Sequence, residues 1–163
     1  MNPSDFLADE LDRTRQWTVN LLEDLSSSDC SRQFNDGLQT VHWILGHLIY
    51  AENALILKRC LNRDEVNPDF IEPFKIGSVV EPPDKGALPP LENVRDEMDR
   101  IHKLATNGIR AMGPDELASP PGGGPHPMFD TRQGAVFHAA RHEAFHAGQI
   151  ALIRRMLGKA PLR

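Results

Sequence analysis

Apolar side chains return every three or four residues along four stretches of the chain, and no stretch alternates in the two-residue rhythm of a half-buried strand. That pattern predicts an all-α protein. The first helix is expected to start with Ser4 as N-cap and to carry Phe6, Leu7, Leu11, Thr14, Thr18, Leu21, Leu22 and Leu25, until Ser26-Ser27-Ser28-Asp29 stops it. The second begins after Thr40 and runs through Val41, Ile44, Leu45, Leu48, Ala51, Leu55 and Leu57 to Leu61. The third opens near Leu91, where Glu92 suits the positive end of a helix, repeats Val94, Met98, Ile101, Ala105 and Ile109, and ends at Gly113-Pro114. The fourth starts at Asp130 or Thr131 and reaches Leu157, with Arg154 and Arg155 near its negative end and Gly158 as its stop.

Two irregular stretches separate these segments. From Asn62 to Pro90 the chain holds Pro68, Pro73, Pro82, Pro83, Pro89 and Pro90 and no apolar period, which predicts a long crossover between the second and third helices. A connection of that length allows those two helices to lie parallel, in a four-helix bundle other than simple up-down-up-down. Pro120-Pro121-Gly122-Gly123-Gly124-Pro125-His126-Pro127 cannot be helical and joins the third helix to the fourth. Neither flanking half has enough apolar helix to fold alone, so residues 1–163 are expected to form a single domain.

Composition narrows the functional classes. The net charge of −5 is spread along the chain, with no basic stripe interleaved with aromatics, so nucleic acid is not an expected partner. No apolar run approaches the roughly 20 residues of a membrane-spanning helix. Met1-Asn2-Pro3-Ser4-Asp5 lacks the basic region and apolar run of a signal peptide, and Cys30 and Cys60 stand far apart as ordinary thiols. A cytoplasmic location is therefore expected. A chain of 163 residues buries a core without staples, so a bound metal would serve chemistry rather than folding.

Candidate chemistry sits in Arg141-His142-Glu143-Ala144-Phe145-His146-Ala147-Gly148-Gln149-Ile150. His142 and His146 are one helical turn apart and leave the same face, a spacing that lets neutral imidazoles grip one divalent metal. The spacing is read as a metal site rather than a protease. Wound at about 100° per residue, the fourth helix puts His138, His142 and His146 with Ala135, Ala139, Gln149, Ile150, Ile153 and Leu157, opposite Gln133, Arg141, Arg154 and Arg155. His138 lies about 12 Å along the axis from His146, so a third ligand is expected from another helix. On the second helix His47 faces inward among Trp43, Ile44, Ala51 and Ala54, whereas His42 falls in the polar sector beside Gly46, Asn53 and Cys60. His102 competes from the edge of the Met98, Ile101, Ala105 and Ile109 stripe. His42 and His126 are expected in solvent, and His138 or His102 alone reads more readily as a core histidine bonded to a carbonyl. Trp17, Trp43 and Phe145 are expected to pack in the core or at an interface, and Tyr50, one turn from His47, to pack in the core.

With Trp43-Ile44-Leu45-Gly46-His47-Leu48 on one helix and His142 to Ile150 on another, the chain resembles the DinB-like (YfiT-like) metalloprotein family over nearly its whole length. The resemblance implies a four-helix bundle with a long second connection and a divalent metal held by His47, His142 and His146, the same three that the helical wheels bring together. Relatives in that family include transferases and isomerases that use a low-molecular-weight thiol such as bacillithiol or mycothiol.

Three histidines with an open position form a catalytic rather than a closed structural set, because structural zinc usually has four protein ligands. The leading expectation is a thiol-dependent S-transferase acting on a small electrophilic molecule through zinc or nickel. A metal-dependent hydrolase of a small amide or ester is the alternative, with Glu52 and Glu143 the only carboxylates close by in sequence. A non-enzymatic metal-binding helical protein is the third. Gln149 is expected to orient a ligand or substrate, and Glu143 to point aside as a surface charge or a partner of a ligand. A homodimer is expected from the tendency of helical bundles to pair.

Overall fold

The computed structural model of the chain describes residues 2–78, 80 and 88–161; Pro82 and Pro83 of the crossover lie outside them. Four long helices, α1 (Pro3–Asn20), α3 (Val41–Glu52), α5 (Leu91–Arg110) and α7 (Arg132–Met156), alternate with the short helices α2 (Ser27–Ser31), α4 (Pro68–Ile71) and α6 (Pro114–Ala118). A π-helical stretch, Asn53–Lys58, prolongs α3, and a 3₁₀ turn, Glu72–Phe74, prolongs α4. No strand occurs among the described residues.

The starts of the helices follow local chemistry. Thr40 and Thr131 cap α3 and α7 by accepting from the backbone N–H groups of Trp43 and Gly134. The cap of α1 is Asn2 rather than Ser4, because Pro3 has no N–H to lose and takes the first helical position. Helix α1 also ends earlier than its apolar pattern, at Asn20; Leu21, Leu22 and Leu25 are buried from the turn that follows. Ser26 does not merely stop a helix but starts α2, through reciprocal bonds between its side chain and backbone and Asp29. Pro114 likewise opens α6. The crossover is not structureless either: Ile71 and Phe74 bring α4 and its 3₁₀ turn into the core.

Helix α1 packs against α5 and α7, and α3 against the same two. Their directions are read from the bonds between them. His42 meets Pro89 and Glu52 meets His102, so α3 and α5 run parallel, as the long crossover permits. Arg110 reaches Asp9 while Arg15 reaches Met98, so α1 opposes α5. Arg15 meets Glu143 and Arg154 meets Leu21, so α1 and α7 run parallel. The bundle is up-down-down-up.

Every residue of α3 except Tyr50 is buried, because α5, α7, α2 and the turn after α4 surround it. A helix covered on all sides has no solvent sector. His42 is accordingly buried and not in solvent, its Nε2 2.9 Å from the Pro89 carbonyl. Trp43 joins the core, whereas Trp17 and Phe145 are exposed, at 57% and 67%. Arg154, expected on the outer face of α7, is buried at the end of α1, where it donates to the Leu21 carbonyl and pairs with Asp24. Cys30 and Cys60 are free and buried, and burial pushes the Cys60 thiol up to about 12. Among the described residues no helix is long and apolar enough to cross a membrane.

Candidate metal centre

His47 projects from α3 toward His142 and His146 on α7. The ring centroids lie 5.3 Å (His47 to His142), 5.0 Å (His47 to His146) and 4.6 Å (His142 to His146) apart. One ligand nitrogen from each ring falls within 4.8 Å of the others, and the Nε2 atoms of His142 and His146 are 3.3 Å apart. Nitrogens about 3.3 Å apart are what tetrahedral ligation at a zinc–nitrogen distance of about 2.0–2.1 Å requires.

Two of the rings are held in the tautomer that ligation needs. His47 Nδ1–H donates to the Phe74 carbonyl at 2.8 Å, and His146 Nδ1–H donates to Gln149 Oε1 at 2.6 Å. With the proton fixed on Nδ1, each neutral ring presents the lone pair of Nε2. Trp43 stacks on His47 at 4.8 Å and donates through Nε1 to the Pro73 carbonyl, so the turn after α4 holds both rings. Gln149 thus orients a candidate ligand directly. Burial holds His47 and His146 below the ordinary histidine range, and it pushes His142 down to about 3 with help from the neighbouring His146, His47 and His138 rings. All three offer lone pairs at neutral pH. The donor set fits a divalent metal.

The same shifts make a stability prediction. The unfolded chain gains protons at its histidines below about pH 6.5, whereas these folded rings stay neutral further down. The stability they contribute is therefore present above about pH 6.5 and is lost as the pH falls toward the folded values. The urea midpoint of metal-free protein should decline between about pH 7 and about pH 5. A flat midpoint over that range would show that the rings are not held neutral.

A family model described as the DinB superfamily matches residues 10–150. The chain belongs to that superfamily. A solved structure, the conserved protein of a locus from Enterococcus faecalis, matches with a TM-score of 0.74 at 17% identity, covering 98% of this chain and 99% of that one; the likeness is one of fold. No curated protein matches the sequence.

In this DinB-superfamily chain a buried ionic network lies beside the histidines, and Arg15 of α1 is its centre. Its guanidinium donates to Glu143 (Nε to Oε1, 2.7 Å), to Glu52 Oε2 at 2.9 Å and to the Met98 carbonyl at 3.1 Å. One side chain of α1 therefore joins α3, α5 and α7. Burial opposes the Arg15 charge, but Glu52 and Glu143 outweigh it and hold the group above its ordinary value. Glu52 is pushed up by burial and down by Arg15 and His102, with the net result below the usual carboxylate range.

Glu143 is thus a buried ion-pair partner and not a surface charge. His142-Glu143-Ala144-Phe145-His146 also has the lettering of the zinc-protease helix, in which the Glu is the general base. Here both oxygens of that carboxylate accept from Arg15, so the lettering does not carry the protease role. Sequence reasoning passed over Arg15, although it follows Leu7 and Leu11 at four-residue spacing on the inward stripe of α1. A charge in a core register signals a buried partner.

The remaining histidines fall outside the cluster. His102 is engaged by Glu52 Oε1 at 2.7 Å and Asp12 Oδ1 at 3.0 Å, which removes it as a competing ligand. His138 lies one turn from His142 with its centroid 6.5 Å away. His126 is half-buried rather than free in solvent, stacked on Phe129 at 4.0 Å. Tyr50 is half-buried, its ring 5.8 Å from His47.

Proposed function

We propose that the chain is a metal-dependent transferase that holds one divalent cation, zinc or nickel, on His47, His142 and His146 and joins a low-molecular-weight thiol to a small electrophile. The observation that carries this reading is the convergence of three neutral imidazoles from two packed helices, in a cluster that has no fourth member among the described residues. A three-ligand set leaves room for an exogenous group. When bound, such a cation supplies Lewis acidity that keeps a thiol or water deprotonated near neutral pH. The chain's own residues aim the lone pairs: Phe74 and Gln149 fix two rings, and Trp43 walls one of them.

Two features favour thiol transfer over hydrolysis. Glu52 and Glu143, the carboxylates close to the histidines in sequence, are held by Arg15 and are not free to serve as a base for water. An apolar groove of about 130 Å³, lined by Phe34, Leu38, Ile44, Gln149, Leu152 and Met156, lies beside Gln149 and offers surface for a small electrophile.

Elemental analysis of the purified protein beside His47→Ala and His146→Ala variants tests the site. Stoichiometric metal in the parent and loss in both variants is expected; retention in either removes that residue from the ligand set. The chemistry is tested by screening electrophiles with and without bacillithiol or mycothiol. Turnover only with the thiol supports transfer, and turnover without it points to hydrolysis.

A further inference from the structure

The supports of the three rings are unequal. His47 and His146 each donate from Nδ1 to a protein oxygen, whereas among the described residues His142 has no such acceptor. A metal-ligating histidine almost always donates its other N–H, since that bond fixes the tautomer and raises ligand basicity. His142 directs Nε2 toward His146, and so turns Nδ1 away from the convergence point.

Beside His142 lies a small recess of about 10 Å³, bounded by α1, α3 and α7 and lined by Leu11, Ala51, Glu52, Ala139, His142 and Glu143 among others. That is about the space of one water, and a water is retained in such a place only where two or more polar groups face it. Glu52 and Glu143 supply them. Their oxygens accept from Arg15 and His102, yet each carboxylate oxygen can accept a second hydrogen bond.

We propose that this recess is a built site for one water that accepts from His142 Nδ1–H and donates to both Glu52 and Glu143, making Arg15 and Glu143 positioning residues for the third metal ligand. This rests on the metal reading of the histidine cluster. Arg15 acts by locking both carboxylates in place from α1. The ionic network then reaches the cation through one water and one imidazole, so the parallel packing of α1 on α7 is tied to the geometry of the centre.

The test uses Co²⁺ as the probe on the intact chain, with proton magnetic resonance of the ring N–H groups that the paramagnetic ion shifts. Three solvent-exchangeable shifted signals are expected, one per ligand, all in slow exchange because each ring N–H is held in a hydrogen bond, those of His47 and His146 to protein oxygens and that of His142 to the bound water. Glu143→Gln, which keeps the shape and leaves Arg15 paired with Glu52, should move or erase one of the three, leave the other two in place and weaken Co²⁺ binding about 10–100-fold.

Only two slow signals in the parent protein, a result that needs no variant, would overturn the proposal. So would three signals that Glu143→Gln leaves unchanged in a folded protein. Failure to take up Co²⁺ at all would remove the metal reading and this inference together. Uptake with two signals would remove only this one.

Discussion

Replacing Arg15 with methionine is expected to destabilise the protein by about 3–5 kcal/mol, the cost of leaving a buried ionic group without its partner. Arg15, Glu52 and Glu143 are each at most 8% exposed at the side chain. Without the guanidinium, two buried carboxylates lose the counter-charge between them. Removing one member of a buried set exposes the full desolvation penalty of the others, whereas removing all its charges together does not. Combining Arg15→Met with Glu52→Gln and Glu143→Gln should therefore recover part of the loss, a non-additivity that marks contacting residues. Urea unfolding of the single and triple variants measures both effects. A single-variant loss below about 1 kcal/mol would mean that bulk solvent reaches the network and screens it. Against a total stability of about 5–15 kcal/mol, the expected loss is large enough to shift the folded population in cells.

Gly46→Ala is expected to damage stability and metal binding together, although alanine is the better helix former by about 1 kcal/mol. A Cβ at Gly46 would stand 2.3 Å from Phe74 Cδ1 and Cε1 and 2.4 Å from Cγ. Phe74 is fully buried, so its ring has no free space into which to retreat. Displacing it should cost about 1–3 kcal/mol as overpacking. The same residue's carbonyl holds His47 Nδ1, so the shift reaches the candidate ligand next to Gly46 in sequence. Metal affinity should fall about 10–100-fold, the usual consequence of disturbing the group that orients a ligating histidine. Gly148→Ala is the internal control: nothing lies within 4 Å of its added Cβ, and the helix-propensity gain should appear there as a small stabilisation. Calorimetry and competitive metal titration of the two variants decide the matter. Unchanged affinity in Gly46→Ala would show that His47 is aimed by its own helix rather than by Phe74.

Phe74 illustrates where reading the chain alone falls short. Glycine in the middle of an apolar helix is visible as an anomaly at Gly46, but its cause sits in the crossover, 28 positions later by the numbering of Phe74. The crossover's prolines spoke for irregular backbone, and they correctly foretold a connection long enough for α3 and α5 to run parallel. They concealed the short helix and 3₁₀ turn that carry Ile71 and Phe74 inward. His42 failed for a related reason: a helical wheel assigns sectors from one helix alone and cannot register that a neighbouring loop, through Pro89, covers the polar one.

What the linear order of residues determined is whatever depends on contacts within a few turns. The four long helices, the caps at Thr40 and Thr131, the stop at Gly158 and the shared face of His142 and His146 all follow from spacing along one backbone. His47 was legible as well, because a histidine among apolar and small neighbours on a buried stripe has one direction to point. The partners of the charged groups were decided by tertiary structure. Arg15, Glu52, Glu143, His102 and Asp12 come from α1, α3, α5 and α7, and the pairing among them exists only once those helices have chosen neighbours and directions. Whether a carboxylate is a free base or a locked counter-ion depends on desolvation and on distances of about 3 Å, neither of which periodicity encodes. Local geometry marked out where a cation would be held; packing between distant segments set what surrounds it.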